Sequence, residues 1–142
     1  MNERVHAPAE AMWAADRASR GLGMRLDEVA SGRARLSMIV TEAMANGHGI
    51  CHGGFIFCLA DSAMAFASNQ HGDPVVAQHA VISFIRPAQV GETLVAEAVE
   101  RMRAGRSGMY DVRVTTACGE LVAEFRGHTR MLHGQTGSHP EG

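Results

Sequence analysis

Two periodicities divide the chain. From Gly53 to Gln70 (GGFIFCLADSAMAFASNQ) the apolar positions Phe55, Ile56, Leu59, Ala60, Ala63, Met64, Phe66 and Ala67 recur at helical spacing and cover more than half the circumference. A surface helix shows an apolar stripe only about 100° wide, so this one is predicted to be wrapped by other structure. Its other side carries Gly54, Cys58, Asp61, Ala65 and Ser68 at three- or four-residue spacing. Small residues there permit close approach of a ligand or of another helix. After His71 the pattern turns to strands. Residues 75–86 (VVAQHAVISFIR) run to Pro87. Residues 92–103 (ETLVAEAVERMR) read as helix by propensity, but Gly91 and Gly105 bound them and a hairpin partner follows, so a strand is predicted. Residues 109–117 alternate, with Val112, Val114 and Thr116 opposite Asp111, Arg113 and Thr115, and Cys118-Gly119-Glu120 turns the chain into Leu121, Ala123 and Phe125. Ahead of the long helix, residues 7–20 favour a helix with Met12 and Trp13 towards the body, ended by Gly21 and Gly23. Residues 24–31 and 33–41 read as two strands around Ser31-Gly32, and a loop rich in Gly and His follows.

One helix wrapped by one antiparallel sheet is the economical packing for this order of elements. The expected fold class is α+β, the hotdog arrangement, with the long helix at its centre. Composition agrees with a single domain over residues 1–142, with about 134–142 (Gly134 onward, polar and Gly-rich) expected to be a disordered tail. Of the 142 residues, 46% are hydrophobic and 20% charged. A net charge of −2 gives no reason to expect nucleic acid or an anionic membrane as partner. No apolar run approaches the roughly 18 residues of a membrane span, and the N-terminus lacks the apolar core of a secretion signal. Three cysteines in odd number, beside nine methionines, fit a reducing cytoplasm.

Residues 46–61 read NGHGICHGGFIFCLAD. This block resembles the phenylacetic-acid-degradation (PaaI-type) thioesterase family of the hotdog superfamily, and ISFIRPA at 82–88, GRSGMYDV at 105–112 and FRGHTR at 125–130 fit that family at the expected places. The resemblance implies an acyl-CoA thioesterase that hydrolyses phenylacetyl-CoA or hydroxyphenylacetyl-CoA to free acid and CoA. It implies a homotetramer built as a dimer of dimers, and no cofactor beyond the coenzyme A of the substrate. Carried over by motif, Asp61 is the catalytic carboxylate, Gly53 polarises the thioester carbonyl, and Asn46 and His52 assist in the same pocket. Some relatives have a water-orienting serine near Ala77, which alanine cannot replace. Water positioning then falls to Asn46, or the carboxylate attacks directly.

The residue types suit that chemistry. The first turn of a helix presents free N–H groups and the positive end of a dipole, and Gly53 and Gly54, lacking Cβ, let a carbonyl approach the backbone. The same glycines could simply make a tight turn into the helix. Asp61 stands mid-helix among apolar residues, where aspartate is a poor helix former. It could be a nucleophile or a general base, or a carboxylate on a solvated stripe with Ser62 and Ser68. Gly53 and Asp61 are separated by about 12 Å along one helix, too far for one carbonyl to touch both. An antiparallel copy of the helix across a twofold axis brings Asp61 of one subunit to Gly53 of the other, so the site is expected at a C2 interface.

His48 and His52 flank Cys51, but zinc sites need three or four ligands on a clear framework, and no metal is expected. Arg101, Arg103 and Arg106 flank the Gly105 turn and Arg86 ends a strand. Guanidinium groups suit the phosphates of CoA. Arg86, Arg103 and Arg106, with Ser107 and Gly108, are the candidate substrate-binding residues beside Gly54. A solvated hairpin tip is the plainer reading of any one of these arginines. Met24, Met38, Met44, Met64, Met102, Met109 and Met131 are expected to fill the core, and no cysteine has an activating partner. Two other functions share the fold: an acyl-CoA hydratase or dehydratase, which would free no thiol, and a non-catalytic acyl-CoA binding protein, which would need no carboxylate.

Overall fold

The computed structural model describes residues 7–132. The expectation for the tail at 134–142 lies outside the described residues. The long apolar pattern forms helix α3, Gly53–Ser68. Six strands follow the expected order: β1 Arg25–Ala30, β2 Arg33–Ile39, β3 Val75–Phe84, β4 Thr93–Ala104, β5 Ser107–Thr116 and β6 Leu121–Met131. They make one antiparallel sheet in the order β1-β2-β4-β5-β6-β3. Helix α3 packs against all six strands. This is the hotdog arrangement, α+β, with the helix wrapped by the sheet.

The core explains why α3 is apolar over so much of its surface. Leu59, Ala60, Ala63, Phe66 and Ala67 are fully buried against Leu36, Ala96, Val112, Val114 and Phe125. On β5, Gly108, Tyr110, Val112, Val114 and Thr116 are buried under the helix, while Met109, Asp111, Arg113 and Thr115 belong to the opposite face. Period two therefore sorts each residue to one side of the sheet. The residues of β4 obey it as well: Leu94, Ala96 and Ala98 are buried in alternation with half-buried or exposed Val95, Glu97 and Val99. Helix propensity over this segment is a few tenths of a kcal/mol per residue, and pairing with β2 and β5 overrides it. Gly127 has its own packing reason. A Cβ there would lie 2.2 Å from Met64 Sδ, so the missing side chain lets α3 settle on β6.

Two expectations need correction. The helix over residues 7–20 breaks into α1, Ala7–Ala15, and α2, Arg17–Gly21. Asp16 caps α2: its Oδ1 accepts from the Ser19 N–H at 2.9 Å, and Ser19 Oγ lies 2.7 Å from Ser62 Oγ on α3. An aspartate three residues ahead of a serine starts a new helix more readily than it continues an old one. Trp13 still packs on Phe66, ring centres 5.8 Å apart. Among the methionines, Met24, Met38, Met44 and Met64 are buried, but Met102 is exposed and Met109 and Met131 are half-buried. Met102 and Met109 fall on the outer face because of strand register, which apolar character alone does not reveal.

The two sheet edges differ. Edge strand β1 is short and carries Arg25, Asp27 and Glu28. Edge strand β3 has ten residues with no Asp, Glu, Lys or Arg among them, and leaves Val76 and Val81 exposed. Beyond it Ile85 is 55% exposed. No helix among the described residues is long and apolar enough to cross a membrane.

Candidate active site

The loop before α3 is ordered from within. Asn46 Oδ1 accepts from the N–H groups of His48 and Ile50 at 2.9 and 3.3 Å, and the Asn46 N–H donates to the Ile50 carbonyl. The His52 N–H donates to Met44, and that of Cys51 to Ala88. Chain direction thus reverses at Asn46 and delivers His52 as the N-cap of α3. His52 Nδ1 accepts from the Gly54 N–H at 3.0 Å. An accepting Nδ1 leaves the ring proton on Nε2. The Gly53 N–H comes one residue earlier, has no intrahelical acceptor, and bonds to no other group among the described residues.

Gly53 also lies against Phe84. A Cβ there would sit 2.9 Å from Phe84 Cζ, the far end of a half-exposed ring beside the helix tip. A cleft of about 410 Å³ opens beside it, lined by Asn46, Ile50, Gly53, Ile56, Phe84 and Arg86 among others. Three predicted residues, Asn46, Gly53 and Arg86, therefore meet there, with His52 and Gly54 at the cap beside it.

Asp61 does not reach that cleft in the same chain. It lies two helical turns along α3, half-buried, on the side where Gly54 and Cys58 are exposed. It makes no hydrogen bond or ion pair among the described residues. Burial pushes its carboxyl above the ordinary value, because a charge removed from water without a partner is disfavoured. The Cys58 thiol is also pushed up, by burial first and by Asp61 second, so Cys58 is a poor nucleophile. Ala77 lies on β3 opposite the buried Thr129 and is exposed, with no polar atom to hold water.

Two of the substrate-binding candidates are held by close neighbours. The Arg86 guanidinium bonds to Glu92 at 2.9 Å and Glu120 at 2.8 Å, and to the Pro87 carbonyl. These carboxylates hold it charged, and it ties the 84–92 segment to the β5–β6 turn while lining the cleft. Gly108 is buried, and a Cβ there would meet Thr129 Oγ1 at 2.7 Å and Tyr110 at 3.0 Å. It is glycine to fit the sheet under α3, and its backbone lines the slot at the β4–β5 hairpin.

Arg103, Arg106 and Ser107 do converge, in a narrow slot at the β4–β5 hairpin tip beside Ser68 and His71. That is the C-terminal end of α3, about 24 Å from its N-terminus for 16 residues at the helical rise. Sequence reasoning missed two participants. Arg130 reaches Ser107 Oγ at 3.3 Å and adds a third guanidinium to the tip; the Ser107↔Arg130 register supplies the signal, which needs strand pairing to see. Phe84 was visible only as an apolar residue of a strand.

Three comparisons bear on this geometry. The family model described as the thioesterase superfamily matches residues 48–123. An acyl-coenzyme A thioesterase PaaI of Escherichia coli is 37% identical over 134 residues, 94% of this chain and 96% of the relative. A human acyl-coenzyme A thioesterase 13 is 32% identical, covering 93% of this chain and 96% of its own. Among solved structures, the E. coli PaaI protein from the phenylacetic acid degradation operon superposes with a TM-score of 0.86 at 39% identity, over 87% of this chain and 90% of that one.

Proposed function

This chain belongs to the thioesterase superfamily, in its PaaI-type branch, and from that premise we propose that it hydrolyses acyl-CoA thioesters at a site shared between two subunits. The observation that carries the reading is the separation of its parts. A free amide at the tip of α3 and an unpartnered, half-buried carboxylate eight positions later (61 − 53) cannot serve one carbonyl within one chain.

A twofold axis beside β3 would resolve the separation. The long edge of β3, with no Asp, Glu, Lys or Arg, is a template for pairing with its own copy, which charged β1 is not. Antiparallel pairing of β3 with β3 sets the Phe84 end of one strand beside the Val75 end of the other. Gly53 packs under Phe84, and the arginine-bearing hairpin lies beside Val75. Such a dimer brings the partner's hairpin, with Arg103, Arg106 and Arg130, to the cleft at Gly53, and sets the partner's copy of the Asp61 carboxylate across from the amide. CoA would then enter with its phosphates at the hairpin and its thioester at the helix tip.

In this arrangement the Gly53 N–H donates to the developing oxyanion, a type of contact worth about 2.7–4 kcal/mol of barrier. Asp61, ionised, either attacks the carbonyl carbon to expel the CoA thiolate and form a mixed anhydride that water then cleaves, or takes a proton from the attacking water. The Nδ2 group of Asn46 and the Nε2–H of His52 are the donors left over for that water or for the carbonyl, since Oδ1 and Nδ1 are committed to the loop. Phenylacetyl-CoA and its ring-hydroxylated forms are the substrates we propose, on the PaaI relatives alone. A homotetramer, as two such dimers, and a cytoplasmic location are further parts of this proposal. Thiol release from a panel of aryl- and alkyl-acyl-CoAs tests the reading. Asp61→Asn should lower kcat at least about 10²-fold while leaving the fold intact, and an unchanged kcat would remove Asp61 from the reaction.

A further inference from the structure

The outer face of the sheet, turned away from α3, carries soft metal-binding side chains in one cross-strand row. Register pairs His79 of β3 with His128 of β6, and His128 with Met109 of β5. His79 and His128 are exposed, and Met109 is half-buried. His128 lies between buried Gly127 and Thr129, and Met109 between buried Gly108 and Tyr110, so both point outward with the alternation of their strands. The bulge at Ala77/His79 shifts β3 by one residue and so brings His79, rather than its neighbour, opposite His128.

The imidazoles stand 5.4 Å apart between ring centres, at 43° between planes. An ion about 2.0–2.1 Å from one nitrogen of each ring lies roughly 3.2 Å from each centre, so two rings on one ion at about 90–110° have centres roughly 4.5–5.2 Å apart. The observed pair is within a few tenths of an ångström of that, which ordinary χ rotation supplies. The flanking charges permit a cation. Arg126, two residues from His128 on the same face, is bound to Asp111 at 2.6 and 2.8 Å, and Arg130 turns to Ser107. A cavity of about 400 Å³ leaves this face open, with His79, His128, Asp111 and Glu124 among its lining.

We propose that His79 and His128, with the Met109 thioether as third ligand, form a surface site for a soft or borderline transition-metal ion of the copper class. Two imidazoles suit several divalent ions, but copper heads the affinity order and a thioether favours it further over zinc and, above all, over magnesium. The site joins edge strand β3 to β6 and stands apart from the thioester chemistry, which lies on the other side of the sheet, so it does not rest on the proposed activity.

The test uses full-length protein with its thiols alkylated, titrated with Cu²⁺ and followed by electron paramagnetic resonance and calorimetry. Wild type should show two imidazole nitrogens on copper. His79→Gln and His128→Gln should each weaken binding at least about 10-fold, since losing a ligand costs no less than losing an outer-shell partner, roughly 10–100-fold. Zn²⁺ should bind more weakly and Mg²⁺ should not compete. After reduction to Cu⁺, Met109→Leu should weaken binding. In wild type alone, Cu²⁺ should broaden the imidazole proton resonances of His79 and His128 ahead of the other histidines, a readout that needs no variant. Copper binding equal in wild type and both histidine variants, or no selective broadening, would overturn the site. Unchanged Cu⁺ affinity in Met109→Leu would overturn its three-ligand form.

Discussion

Asp61, the carboxylate proposed to react, is half-buried without a partner among the described residues. It lacks a cation or hydrogen-bond donor there, and burial raises its carboxyl above 3.8. Two pH effects follow, with opposite benefits. Nucleophile and general base alike need the ionised form, so kcat should fall as pH drops through the raised value, with an acid limb above that of an ordinary aspartate. For folding, the native state holds a proton where the unfolded chain has released it. Stability is therefore fully present below the ordinary aspartate value and is lost as pH rises through the raised one. Asp61→Asn should accordingly raise the melting temperature at pH 7 while abolishing activity, and the gain should shrink to nothing at acid pH below the ordinary aspartate value. Calorimetric melts of both proteins across pH check this; a variant less stable than wild type at pH 7 would mean that Asp61 is favourably partnered. Mid-helix position among apolar neighbours marked Asp61 in the chain, whereas the pairing of Arg86 with Glu92 and Glu120 was not visible there.

At the scale of elements, β3 bears the most weight. Helices and inner strands are covered on the side that period and apolarity assign to the core, but β3 keeps Val76 and Val81 exposed and one row of backbone groups unpaired. Val81 lies on the outer face, opposite Arg126, so a charge there leaves the core untouched. Val81→Lys should leave the circular dichroism spectrum unchanged, weaken the proposed β3–β3 association by like-charge repulsion across the twofold axis, and lower activity together with the dimer fraction. Sedimentation and thiol release on the same samples check the coupling. Full activity in a monomeric sample would refute the shared site. The same strand shows what local sequence leaves open, because its pattern VVAQHAVISF reads equally as an inner strand.

At the scale of the whole molecule, a shared site predicts complementation. Asp61→Asn keeps its helix tip, and a variant blocked at the tip, Gly53→Val, keeps its carboxylate while pushing against Phe84. Each alone should be nearly inactive. Co-refolded in equal amounts, they should recover about a quarter of wild-type activity, since roughly half the dimers are mixed and each mixed dimer has one intact site of two. No recovery, with mixed dimers demonstrated by mass spectrometry, would place both groups in one chain. Sequence alone determined the layered fold, because a helix apolar over more than half its surface has to be wrapped and strands of period two wrap it. It also marked the Asn46, His52, Gly53 and Asp61 block, through its resemblance to the PaaI-type motif, with a glycine pair at a helix start and an aspartate in an apolar helix in register. Only the tertiary structure decided which residues the arginines pair with, why Gly108 is a glycine, and that Phe84 lies beside the helix tip. It alone aligned His79, His128 and Met109 in one row. These are matters of which strand lies beside which and in what register, and long-range pairing is written in no local stretch of the chain.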